Sequence, residues 1–193
     1  MEKESGDSPL EIYQLKVTLK GSRPPIWRRI LVPGPISLVG LHGVIQSAMG
    51  WENRHLFEFE IKGLRYADNP EEAMFTYDPP EDPFLHTLDG LGLEVHNSFT
   101  YLYDFGDDWI HQVLIEAILP ADASLEYPVC IKGIRACPPE DCGGIWGFES
   151  LLDILGDSSH PDYESMAEWV GPNFDPEAFD LDMVNRRMKR AYR

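Results

Sequence analysis

The sequence predicts an α+β protein: a mainly antiparallel sheet with one helix inserted early and a run of helices at the C-terminal end. Three observations carry this reading. Short segments that alternate apolar and polar residues, separated by Gly, Pro and Asp turns, fill most of the first two-thirds of the chain. Among them one stretch, Ser37 to Met49, instead repeats its apolar residues at helical spacing. Past Gly144 the alternation stops and helical periodicity takes over. Strands first and helices last is the α+β order, whereas a parallel sheet would need strands and helices in turn.

Residues 1–10 read as a flexible tail and 11–193 as one domain, a size that supports a single core. Ile12 to Lys20 alternates as a strand, and Gly21-Ser22-Arg23-Pro24-Pro25 is a turn. Ile26 to Val32 forms the second strand, paired with the first and ended by Pro33-Gly34-Pro35. Ser37 caps the helix, Leu38, Leu41, Val44, Ile45 and Ala48 form its apolar face, and Gly50 stops it. His55 to Ile61 is a third strand, broken at Gly63. Residues 67–92 read as an acidic surface excursion, because Asp78-Pro79-Pro80-Glu81-Asp82-Pro83 suits neither a helix nor a central strand. A short element is expected between Leu85 and Leu91.

Phe99, Tyr101, Tyr103 and Phe105 alternate with Thr100, Leu102 and Asp104, giving a strand with one aromatic face. Gly106-Asp107-Asp108 signals a turn, and Trp109 to Leu119 returns as the second arm of a hairpin. Pro120 to Tyr127 is a loop. Helices are predicted over Gly147–Leu155, from Ser159 or His160 to Val170, and over Glu177–Ala191 with Asp175 as its cap. The aromatic stripe and Trp109, Trp146 and Trp169 are assigned to the core.

The net charge is −17 and unevenly spread. Residues 67–182 hold 26 Asp and Glu but only Lys132 and Arg135 as bases, while residues 183–193 hold five bases and no acid. Such a surface repels phosphate, so direct nucleic-acid binding is disfavoured. It suits solvation, a cation, or a basic protein partner. No apolar run approaches the ~20 residues that span a bilayer. A polar, acidic start and clustered cysteines argue for the cytoplasm and against a disulfide framework.

Two dense motifs carry the candidate chemistry. The hairpin motif FTYLYDFGDDWIHQVLIE runs from Phe99 to Glu116, and CIKGIRACPPEDCGG from Cys130 to Gly144. Cys130, Cys137 and Cys142 supply three thiols, and His111 is the candidate fourth ligand of a zinc site, with Asp141, Glu140 or water as rivals; buried, inert thiols are the alternative. Asp104, Asp107, Asp108, His111, Glu140 and Asp141 form a set suited to a hard cation or to acid–base work. Gly-Asp-Asp is equally ordinary turn chemistry, and Asp104 in mid-strand calls for a partner, for which Arg28 and Arg29 are candidates. His42, His55, His86 and His96 show no metal-ligand spacing. No phosphate loop, G-x-S-x-G or H-E-x-x-H occurs.

YDFGDDWIH (Tyr103 to His111), PVCIKGIRACPPEDCGG (Pro128 to Gly144), and the later GFESLL, HPDYESMAEWVG and FDPEAFDLDMVN together resemble the plasmid pRiA4b ORF-3-like family. YQLKVTLKGSRPPIWRRILVP and SLVGLHGVIQSAMGW extend the resemblance over roughly residues 11–187. It implies a single α+β domain and an association with insertion elements, as a passenger protein, and no particular reaction. The motif residues it brings over are Asp104, Gly106, Asp107, Trp109, His111, Cys130, Cys137, Pro138, Pro139, Glu140, Asp141, Cys142, Gly143 and Gly144. The first expectation is thus an accessory or interaction module in preference to an enzyme, with one site built from the hairpin and the cysteine loop and zinc as its candidate pin. The alternatives are an acidic decoy for a basic DNA-binding partner and a metal-dependent hydrolase or nuclease using the Asp/His/Glu cluster.

Overall fold

The alternating segments become one sheet. In the computed structural model, which describes residues 9–67 and 79–191, β1 (Glu11–Leu19) and β2 (Ile26–Pro33) pair antiparallel. β3 (Phe57–Ile61) pairs with β4 (Leu64–Ala67), and β5 (Ser98–Tyr103) with β6 (Trp109–Pro120). With β7 (Val129–Ile134), the seven strands run in the order β4-β3-β5-β6-β1-β2-β7, and every pairing is antiparallel. The expected tail lies almost wholly outside the described residues, as does much of the expected acidic excursion.

Two strands were not legible. Gly63 does not break the third strand but turns it: Lys62 and Gly63 both adopt positive φ (52° and 78°), the tight hairpin turn that folds β4 back on β3. The cysteine motif opens as β7, with Cys130 inside a strand. The expected element near Leu91 is a 3-10 turn, Asp89–Leu91.

Period-2 patterning puts one face of the sheet in the core. Leu15, Val17 and Leu19, Ile26 and Ile30, Phe59, Tyr101, Tyr103, Trp109, Val113 and Ile115 are buried there. The other face stays half-exposed and carries charge: Lys16 and Arg29 both lie 5.2 Å from the Trp27 ring, and Arg29 Nη2 donates to Glu116 Oε1 at 2.8 Å. Helix α1 (Leu38–Met49) covers the apolar face with Leu38, Leu41, Val44, Ile45 and Ala48. Ser37 Oγ accepts from Gly40 N at 3.0 Å, the N-cap the sequence predicted, and Gly50 ends the helix.

Three more helices follow: α2 (Gly144–Gly156), α3 (Tyr163–Val170) and α4 (Leu181–Ala191). The last starts later than predicted. Asp180, not Asp175, caps it, its Oδ1 accepting from Met183 N at 2.8 Å. Helix α4 packs on α1 and against β7. Its Asn185 treats the edge of β7 as a strand would, accepting from Cys130 N at 2.8 Å and donating to Cys130 O at 2.9 Å. That pairing closes an edge that would otherwise present bare backbone groups.

Arg28 lies inside this core, 2% exposed. Its Nε donates to Ala48 O at 2.9 Å, Nη1 to Trp27 O at 2.9 Å and Ile134 O at 2.8 Å, and Nη2 to Arg135 O at 2.8 Å. The Phe179 ring lies 4.7 Å from the guanidinium. It is therefore no partner for Asp104, and Arg29 is held by Glu116 on the outer face. Arg28→Met should cost about 3 kcal/mol or more, because several buried carbonyls lose charge-assisted donors at once. Arg29→Met, which breaks a half-exposed pair, should cost about 1 kcal/mol or less. Urea unfolding of both variants checks the contrast.

Two histidines are buried in their neutral form. His42 Nδ1 meets Tyr101 Oη at 2.8 Å and its Nε2 meets Asn53 Oδ1 at 2.7 Å. His111 is 0% exposed, edge-on to Trp51 with ring centroids 5.2 Å apart. Burial lowers both to about 4, from 6.5. Between those values the unfolded chain binds protons that the folded chain refuses. Their contribution is therefore complete above about pH 6.5 and is lost as pH falls toward 4, at up to about 1.4 kcal/mol per pH unit for each histidine. His111→Phe should flatten the pH dependence of unfolding free energy between pH 6 and 5 by about one proton. An unchanged slope would mean that His111 is charged in the fold.

Candidate functional site at the junction of hairpin and cysteine loop

The two motifs meet. Tyr103 pairs with Trp109, so the hairpin turn is the loop Asp104–Asp108. Asp104 begins it with φ 59°, its Oδ1 accepting from Gly106 N at 2.9 Å and its carbonyl from Asp108 N at 2.8 Å. The Asx turn is thus made by Asp104, not by the aspartates of Gly-Asp-Asp, and Asp104 stands at the strand end, not in mid-strand. Asp107 Oδ2 then accepts from Gly143 N at 3.1 Å. Gly144 packs so close that a Cβ there would lie 2.4 Å from the Asp107 carbonyl oxygen.

The segment after α1 clamps the loop from its other side. Trp51 Nε1 donates to Pro138 O at 3.1 Å, and Glu52 N donates to Glu140 Oε1 at 2.8 Å. Tyr103 links all three segments: its hydroxyl accepts from Arg54 N at 3.0 Å and donates to Glu140 Oε1 at 3.2 Å. Burial, with the Glu140 charge beside it, pushes the Tyr103 phenol up to about 12, so it stays a donor.

At the centre of the junction His55 faces three carboxylates. Its Nε2 lies 3.1 Å from Asp141 Oδ1, 3.5 Å from Asp104 Oδ2 and 3.8 Å from Glu140 Oε2. The Tyr103 ring stands edge-on to the imidazole at 5.8 Å. Asp104, Glu140 and Asp141 are thus gathered as expected, whereas Asp108 belongs to the turn backbone and His111 sits under Trp51 in the core. The sequence reading missed His55. The clue available was a polar run, Glu52-Asn53-Arg54-His55, longer than a helix-to-strand turn needs.

The proposed zinc tetrad does not form. Among the described residues, the one group of three or more His, Cys, Asp and Glu side chains with ligand atoms within 4.8 Å of one another is His55, Asp104 and Asp141. The thiols are separated by their roles. Cys130 faces the core from β7, its Sγ 3.5 Å from Lys132 O, whereas Cys137 and Cys142 lie partly buried in the loop. Burial raises all three, Cys137 and Cys142 to about 12, so they are neutral thiols at physiological pH. Trp146 and Trp169 also differ from expectation. They are not core: Trp146 is 83% and Trp169 48% exposed.

Fold and site define a class: an antiparallel-sheet α+β domain with a histidine–carboxylate junction between a hairpin turn and a cysteine-bearing loop. The chain belongs to the plasmid pRiA4b ORF-3-like protein family, whose profile matches residues 11–183. It is similar to the uncharacterized protein y4hQ of Sinorhizobium fredii, 37% identical over 177 residues that cover 91% of this chain and 89% of that protein. It is also similar to the crystal structure of a protein of unknown function from Methanosarcina mazei Go1, with TM-score 0.82, 40% identity, and coverage of 91% of this chain and 98% of that one. Among the described residues, no helix is long and apolar enough to cross a membrane.

Gly144 tests the junction. Its contact with Asp107 O leaves no room for a Cβ, and its φ of 67° is one that side-chain-bearing residues rarely adopt. Gly144→Ala should lose about 2 kcal/mol or more. Gly156→Ala, where a Cβ meets nothing within 4 Å, should change stability by about 0.5 kcal/mol or less. Thermal or urea unfolding of the pair distinguishes a tight junction from a loose one.

Proposed function

We propose that the chain is an interaction module that docks a basic segment of a protein partner at this junction. The observation that carries the reading is Trp146. It stands 83% exposed on α2, two residues beyond the glycine that seals the loop to the hairpin. A tryptophan in water costs hydrophobic free energy, and exposed aromatic side chains beside polar rims are typical interface anchors. The same helix lines, with α3, a groove of about 350 Å³ floored by Leu151, Ile154, Met166 and Trp169 and edged by Asp141. Phe105, 40% exposed in the hairpin turn, adds a third aromatic side chain.

Charge favours a cationic occupant. The groove, the hairpin turn and the cysteine loop lie within residues 67–182, where acids outnumber bases by 26 to 2. A Lys- or Arg-bearing segment with an apolar anchor would satisfy both, its cations meeting carboxylates and aromatic faces. In keeping with the insertion-element association that the resemblance implies, the partner class we favour is a DNA-handling protein, whose working face is basic.

The test is capture with the full chain and with Trp146→Ala, at low and high salt, followed by titration of the captured partner. A basic partner should bind at least about tenfold more weakly to the variant and weaken further with salt. Binding indifferent to both Trp146 and salt would refute the reading.

A further inference from the structure

We infer that His55, Asp104 and Asp141 form a binding site for a divalent cation of the Mn²⁺ or Zn²⁺ kind. The inference goes beyond partner docking and needs no partner to be measured.

The geometry supports it first. Two ligands about 2.1 Å from a common ion, at tetrahedral or octahedral angles, lie about 3.0–3.4 Å apart. His55 Nε2 to Asp141 Oδ1 is 3.1 Å and to Asp104 Oδ2 is 3.5 Å, and all three ligand atoms lie within 4.8 Å of one another. Glu140 Oε2, 3.8 Å from the same nitrogen, is a further carboxylate within reach.

Unsatisfied groups support it independently. His55 Nε2 is buried and makes no hydrogen bond, so its approach to Asp141 at 3.1 Å is proximity without hydrogen-bond geometry. A buried imidazole nitrogen without a partner is costly unless something completes it. Asp104 stands beside it. Its side chain is nine-tenths buried (10% exposed), Oδ1 is spent on Gly106 N, and Oδ2 turns to His55 with no donor of its own among the described residues.

Charge is the third support. Three carboxylates converge on one imidazole, and Arg54, on the same segment, is already paired with Glu52. Even a protonated histidine would leave an excess of negative charge, which a divalent ion would offset. One imidazole nitrogen with carboxylate oxygens suits Mn²⁺, Fe²⁺ or Zn²⁺ better than a thiolate-seeking ion. The set is held rigidly: Asp104 by its Asx turn, His55 by the Tyr103 ring, and the Asp141 loop by Trp51 and Asp107. Asp141 is exposed, so one side stays open to water or to an oxygen ligand from outside.

The experiment is titration of the chelator-treated full chain with Mn²⁺, read by the loss of the free-ion electron paramagnetic resonance signal, with Zn²⁺ as competitor. One ion per chain is expected, displaced by Zn²⁺. Asp141→Asn changes only an exposed side chain and should fold normally, and it should weaken binding at least about tenfold. His55→Gln should do the same. Absence of saturable binding of both ions would overturn the site and leave His55 as an ion-pair partner. Binding that survives both substitutions would place the ion elsewhere and equally overturn it.

Discussion

The buried guanidinium of Arg28 is the constraint on which the rest of the molecule turns. A charge taken out of water must be answered inside the protein. Here the answer comes from main-chain carbonyls: Ala48 at the end of α1, Trp27 in β2, and Ile134 and Arg135 where β7 runs out. Those carbonyls belong to the three pieces that must be held together: the helix over the sheet, the sheet itself, and the departure point of the cysteine loop. Ala48 O also lies at the negative end of the α1 dipole, which favours a cation there. Phe179, on the segment leading into α4, covers the guanidinium from outside.

The junction inherits its precision from that arrangement. The cysteine loop leaves β7 at a point fixed by Arg28, and the segment carrying Trp51 to His55 leaves α1 one turn beyond Ala48. The third participant, the hairpin turn, is fixed by the register of Tyr103 against Trp109. Three loops carried on one rigid frame therefore converge, and each bond between them engages a residue at a loop root or tip. Functional residues are commonly placed this way, on irregular segments positioned by a regular scaffold. The cysteines belong to the packing of this frame. Their thiols are raised by burial, the opposite of what a nucleophile or redox centre requires.

The sequence made the frame legible because hydrophobic periodicity is a local signal. The alternation of β1, β2, β5 and β6, the Ser37 cap and the Gly50 stop could all be read within a dozen residues. What was not legible depended on contacts between distant segments. Gly63 looked like a stop because a glycine breaks or turns a strand with equal ease, and only the pairing partner decides. His55 carried no local ligand spacing; its carboxylates come from two other loops. The thiol tetrad failed for the same reason: proximity in sequence put Cys130 next to the loop, but strand alternation turned it to the core. Trp146 and Trp169 were assigned by residue type alone, and the helix faces on which they stand reversed the assignment.

The exposed tryptophans and the crowded carboxylates are two departures from what stability alone would select, and Trp169 and Asp141 line one groove. Each is costly for an isolated domain: aromatic surface in water, and like charges around one imidazole. Trp146 and the carboxylates of Glu140 and Asp141 lie within a few residues of Gly144, whose contact with Asp107 tolerates no side chain. A frame that spends a buried arginine on positioning three loops, and then places unfavourable groups at their meeting point, is organised around that point. The acid of residues 67–182 deepens the same argument. Spread as solvation it would need no order, yet Asp104, Asp107 and Glu140 each accept a hydrogen bond in the junction, and Asp141 lies 3.1 Å from His55 Nε2. Ordered negative charge and exposed aromatic surface are what the proposed docking of a cationic segment and the inferred ion site both rest on.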